Sequence, residues 1–146
     1  MKRFLPVMPV LFIILLTASC KKDSSTTTPP TSINFATTLS GANETPANVS
    51  TAYGTSTGVY NTTTKILTLS TTYTGVTVTA GHLHKGDPGV SGPVEFPFAV
   101  TASPIVFTSS ALTATEETDL MENKYYVNLH SSTYPGGEIR GQLTKQ

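Results

Sequence analysis

His82 and His84 stand two residues apart in the segment Gly81-His82-Leu83-His84-Lys85-Gly86-Asp87-Pro88-Gly89. The third and last histidine, His130, closes the segment Tyr125-Tyr126-Val127-Asn128-Leu129-His130. Side chains two apart on a β-strand point to one face, so His82 and His84 project together and Leu83 points into the core. In the second segment Val127 and Leu129 share an apolar face, and Tyr126, Asn128 and His130 share a polar one. If the two strands are neighbours, three imidazoles converge outside the hydrophobic core. Three histidines with an open position suit zinc or copper. Asp87, Glu44 and Glu138 are candidates to complete the shell or to orient a ring. A plainer reading stays open beside this one, because histidines at strand ends often only hydrogen-bond loop backbone. His-x-His alone is a weak motif, and it gains weight here because the chain holds no histidine elsewhere.

Arg140, in Glu138-Ile139-Arg140-Gly141-Gln142-Leu143, shares the polar side of its segment with Glu138 and Gln142. It could present a cation to an anion or carboxylate. The favoured reading is structural: a pair with Glu138, Glu44 or Asp87, or bonds to loop carbonyls, since the planar guanidinium suits buried polar scaffolding. No catalytic set is assigned. There is no Gly-x-Ser-x-Gly elbow, no phosphate-cradling Gly-rich loop and no His-Glu-x-x-His, and the domain holds no cysteine.

The elements that must position these residues read as short strands. Charged residues make up 12% and hydrophobic ones 38%, so Thr, Ser, Asn and Gly carry the solubility. Abundant Thr with Val, Tyr and Phe favours pleated, half-buried strands. The periodicity predicts strands over 33–39, 54–60, 66–73, 80–84, 94–100, 105–109, 125–130 and 138–143, with Asn61 to Lys65 as a hairpin turn. Pro97 marks its strand as an edge or a bulge. Several short strands at close spacing argue for a sandwich or barrel. One helix is predicted over residues 114–122, because Thr113 and Glu116 form a capping-box pattern. It would cover one end of the sandwich with Leu120 and Met121.

Formal net charge is zero, and the sequence shows no basic face of the kind that sequence-independent nucleic-acid binding needs. A single cysteine excludes an intrachain disulfide. That cysteine, Cys20, follows a positive n-region (Lys2, Arg3), an apolar run to Leu16, and small residues at Ala18 and Ser19. These are the parts of a signal peptide. Leu16-Thr17-Ala18-Ser19-Cys20 resembles a bacterial lipobox, with Thr17 in the place usually held by Leu. Cleavage after residue 19 would leave Cys20 to carry acyl chains, several of which anchor durably. Residues 24–32 are Ser, Thr and Pro only and read as a tether.

Four motifs occur in order: Leu39-Ser40-Gly41-Ala42-Asn43-Glu44-Thr45-Pro46, Ala80 to Gly86, Tyr126-Val127-Asn128-Leu129-His130, and Pro135-Gly136-Gly137-Glu138-Ile139-Arg140-Gly141-Gln142-Leu143. Together they resemble the CHRD domain, over about residues 33–144. The first departs slightly, with Thr45-Pro46-Ala47 where the family usually has two prolines or an apolar residue after Glu. The resemblance implies an extracellular β-sandwich module with no established general activity. It is also similar, faintly, to copper–zinc superoxide dismutase, to whose site His82, His84, His130 and Arg140 would correspond only loosely. The bridging histidine, the second metal's ligands and the disulfide cysteines are absent.

The expected organisation is therefore a lipoprotein signal peptide (1–19), a lipidated Cys20 and tether (20–32), and a CHRD domain (33–146). The expected fold is an all-β, Greek-key-like β-sandwich of superoxide-dismutase or immunoglobulin type with one short helix. The expected role is a binding or structural module tethered through Cys20 to the bacterial cell envelope, at the outer membrane. It would hold one copper or zinc ion on His82, His84 and His130, and meet a protein or glycan partner. Two alternatives remain: a mononuclear copper or zinc redox enzyme, and a metal-free adhesion or scaffold domain.

Overall fold

A computed structural model describes residues 31–146. The expected signal peptide, Cys20 and all but the end of the expected tether lie outside the described residues. Ser32, read as tether, already belongs to the first strand.

The strands are β1 (Ser32–Ser40), β2 (Tyr53–Asn61), β3 (Ile66–Thr74), β4 (Ala80–Lys85), β5 (Val94–Pro97) and β6 (Ile105–Thr108). After helix α1 (Ala114–Met121) come β7 (Tyr125–His130), β8 (Ile139–Gln142) and β9 (Thr144–Lys145). All pairings are antiparallel. The order is β5-β4-β7-β8-β1-β2-β3-β6, with β9 also beside β1. β8 meets β1 at the single pair Ser40–Arg140. There the sheet curls, so that its two halves enclose one core as the layers of a sandwich do. The chain crosses between the halves after β3, after β5 and again before β7, in Greek-key manner.

The core follows the period-2 pattern. Phe35, Leu39, Tyr60, Leu67, Leu69 and Ile105 come from one half, and Leu83, Val127, Leu129 and Ile139 from the other. Phe107 of β6 meets Phe98, at 5.0 Å between ring centroids, and Phe96 of β5 at 5.8 Å. Where polar groups point inward they pair, as Ser56 and Thr71 do at 2.9 Å, because an unsatisfied buried hydroxyl is costly.

Differences from the sequence reading fall at element ends. β5 stops at Pro97 and does not reach Val100, although one further bond, from the Phe98 amide to the Gly81 carbonyl (2.9 Å), follows it. β5 is indeed an edge strand, and a bulge falls opposite it between Leu83 and His84. α1 begins as expected: the Glu116 amide donates to Thr113 Oγ1 (3.3 Å) and the Thr113 amide to Glu116 Oε2 (2.6 Å). Such a cap contributes about 1 kcal/mol. The helix ends one residue early, at Met121. Leu120 is buried beneath it, and a Lys65–Glu117 ion pair (2.7 Å) ties it to the β2–β3 turn.

Candidate metal centre

β4 and β7 pair directly, with His84 opposite Tyr126, His82 opposite Asn128 and Ala80 opposite His130. The alternation read from each segment therefore acts across two neighbouring strands. Leu83, Val127 and Leu129 enter the core, and the three histidines share the other face. One nitrogen from each of His82, His84 and His130 lies within 4.8 Å of the others.

That polar face is nevertheless mostly buried. All six residues of β7 are buried, and His84 and His130 are only 9% and 8% exposed. The segments following β1, β4 and β7 fold over it. Only His82 is half-open to solvent, so entry to the cluster is on its side.

Each imidazole has an assignable role. His130 Nδ1 lies 3.0 Å from the Pro135 carbonyl, and His84 Nδ1 lies 3.0 Å from the Gly92 carbonyl. A carbonyl only accepts, so both Nδ1 atoms carry the proton and both Nε2 atoms keep a lone pair. His82 Nδ1 lies 3.1 Å from His130 Nε2 and donates to it. His84 Nε2 is buried and has no partner. Burial holds the His82 and His130 rings below the usual histidine pKa, and neighbouring imidazoles add to that effect in both. Neutral rings whose other nitrogen is fixed by a backbone carbonyl are the form in which histidine ligates metals. Metal–nitrogen bonds of ~2.0–2.1 Å require ligand nitrogens no more than about 4.2 Å apart. The triangle must therefore close slightly, and His82 is the side chain with room to turn.

His84 is further held by Tyr126. The two rings stack at 5.0 Å with planes 8° apart. The Tyr126 hydroxyl accepts from the Gly92 amide at 3.0 Å, and the Gly92 carbonyl in turn holds His84. The Arg140 guanidinium covers the Tyr126 ring, its Cζ 3.5 Å from the centroid, a favourable cation–π contact.

The other candidate residues do different work. Arg140 Nη2 donates to the carbonyls of Asp87 (3.2 Å) and Val90 (3.0 Å). This is the loop-carbonyl scaffolding that the sequence reading favoured. Asp87 contributes that carbonyl. Glu138 accepts from Ser50 Oγ at 2.7 Å. Glu44 Oε2 accepts from Asn128 Nδ2 at 3.4 Å. The rings are thus oriented by the carbonyls of Gly92 and Pro135, where the sequence had suggested carboxylates. The parts that sequence reasoning missed are Tyr126, Asn128 and these two carbonyls. A tyrosine and an asparagine facing the same way as His130 were the available signal, but backbone acceptors leave none.

A family model described as CHRD domain matches residues 35–143. No curated protein and no solved structure matches the chain.

Proposed function

Because the chain belongs to the CHRD domain family, we propose that it is a binding module built around one metal ion held by His82, His84 and His130. The observation that carries this reading is the donor set. Two of the three rings have Nδ1 tied to a backbone carbonyl, and one of the freed Nε2 atoms is buried with no hydrogen-bond partner. A buried acceptor without a donor is costly, and a metal ion would satisfy it. Nitrogen-only ligation favours zinc or copper over magnesium or calcium. Three protein ligands would leave such an ion one coordination position for water or a partner's side chain.

The test is metal content of the purified chain by mass spectrometry after incubation with zinc or with copper, beside a His82→Ala/His84→Ala variant. About one equivalent in the wild type, lost in the variant, is expected for a site of this kind. If neither ion is retained, the family's role in this chain is that of a metal-free adhesion or scaffold domain. If copper is retained, dismutase and oxidase assays decide between a binding module and a redox enzyme.

We further place the module at the outer membrane, tethered by acyl chains on Cys20. The support is the Leu16–Cys20 pattern and the Ser/Thr/Pro stretch behind it.

A further inference from the structure

Arg140 is 2% exposed, yet no carboxylate of the described residues forms an ion pair with it. Buried charges are normally paired. Arg140 instead lines an open cleft of ≈ 420 Å³ with Glu44, Thr45, Asn43, Thr38 and Gln142. Of its four hydrogen bonds three come from Nη2. Nη1 makes one, a weak 3.4 Å contact to Thr45 Oγ1.

Glu44 is the nearest acid that could balance this cation, and its surroundings favour the neutral form. Its Oε1 is buried without a partner, and so is Asn128 Oδ1. Both oxygens border the same spot: a Cβ placed on Gly137 would lie 2.7 Å from the first and 2.8 Å from the second. A proton on Glu44 Oε1 could be donated to Asn128 Oδ1 while Asn128 Nδ2 donates to Glu44 Oε2, satisfying both orphans. Burial pushes the Glu44 carboxyl up to about 7, with Arg140 opposing the rise. The other charged or titratable groups nearby are Glu138, which accepts from Ser50, Asp87 on the loop above Arg140, and the imidazoles of β4 and β7 beyond Asn128.

We propose that the cleft between Asn43–Thr45 and Pro88–Gly89 is a binding site for a small carboxylate or oxyanion, which pairs with Arg140 while Glu44 takes up one proton and closes onto Asn128. Recognition is by charge at Arg140 and by neutral donors from Thr38 and Asn43. None of the three histidines lines the cleft, and it needs no metal.

The coupling gives a signature that ordinary anion adsorption lacks. Well below its raised pKa of about 7 Glu44 is already neutral, and affinity is flat. Above it, each bound anion must bring a proton, so affinity falls by up to about tenfold per pH unit. The experiment is calorimetric titration of the full chain with acetate and, separately, with inorganic sulfate, neither of which titrates in the range used. It runs from roughly one unit below to two units above the Glu44 value, in buffers of different ionisation enthalpy. Saturable binding of either ion, with proton uptake approaching one on the alkaline side, supports the site. Acetate alone marks a carboxylate ligand and sulfate alone an oxyanion. Glu44→Gln, a permanent neutral mimic, is expected to abolish both the pH slope and the proton uptake. Binding of neither ion at any pH overturns the proposal, as does an unchanged slope in Glu44→Gln.

Discussion

His130→Ala abolishes stoichiometric metal binding and leaves a cooperatively folded domain: this is the first of the two largest effects expected. Loss of a partner that merely orients a ligand costs ~10–100-fold in affinity, and loss of a ligand should exceed that. The fold should survive because His130 lies on the face of β7 opposite Val127 and Leu129, outside the apolar core. What the substitution removes is the bond to the Pro135 carbonyl, the bond from His82 Nδ1 and a buried ring, a loss of about 2–3 kcal/mol. The pH dependence has a definite sign. Metal needs the neutral rings, and burial lowers the His82 and His130 pKa values from 6.5. Protons therefore compete only below that value: wild-type affinity is flat above it and falls on acidification. Metal titration and thermal unfolding of the same variant check both halves. Retained metal would remove His130 from the ligand set. Loss of cooperative unfolding would mean that the polar face is part of the structural core after all.

The second large effect is on stability, at Gly137. Its φ of 134° is closed to side-chain-bearing residues. Its Cβ position is also occupied, with Asn128 Nδ2 and Glu44 Oε1 each 2.7 Å away. Gly137→Ala must strain the backbone, at ~1–3 kcal/mol, and push apart two buried polar groups as well. The combined loss is expected at about 3–5 kcal/mol, or a fall in Tm of well over 10 °C for a domain this size. Gly136 is the internal control, since nothing lies within 4 Å of a Cβ there. Gly136→Ala should stay within about 0.5 kcal/mol of wild type. Thermal melts of the pair decide the matter. Equal, small shifts in both would show that the chain reroutes around position 137 without cost. Because Pro135 holds His130, Gly137→Ala should also weaken metal binding, an effect that Gly136→Ala should lack.

The two predictions meet at one piece of backbone. Asn48 Nδ2 donates to the carbonyls of Gly137 (3.3 Å) and Glu138 (3.1 Å), and Pro135 fixes the His130 tautomer a few residues earlier. Loop and cluster thus share anchors, so damage to one should be felt in the other.

Much of this was legible in the residues alone. Alternation in Ile66–Tyr73 and Tyr125–His130 specifies which side chains enter the core, because a one-residue slip would expose every leucine. Thr113 and Glu116 specify where the helix starts, since the capping bonds are local. His82 and His84 must share a face for the same local reason. The motifs from Leu39 to Leu143 were enough to suggest the family that the family model then matched.

Tertiary structure alone decided the rest. That β4 lies beside β7 in a register placing Ala80 opposite His130 is a long-range pairing, and no local propensity encodes it. The polar face is buried because the segments after β1, β4 and β7 fold over it, and polar loop sequences carry no sign of where they will lie. The ring-orienting groups are the carbonyls of Gly92 and Pro135, and every residue has a carbonyl, so side-chain identity could not reveal them. Glu44 could be read as a carboxylate from its type. That it favours a proton depends on desolvation, which arises only when Asn128, Gly137 and Arg140 close around it.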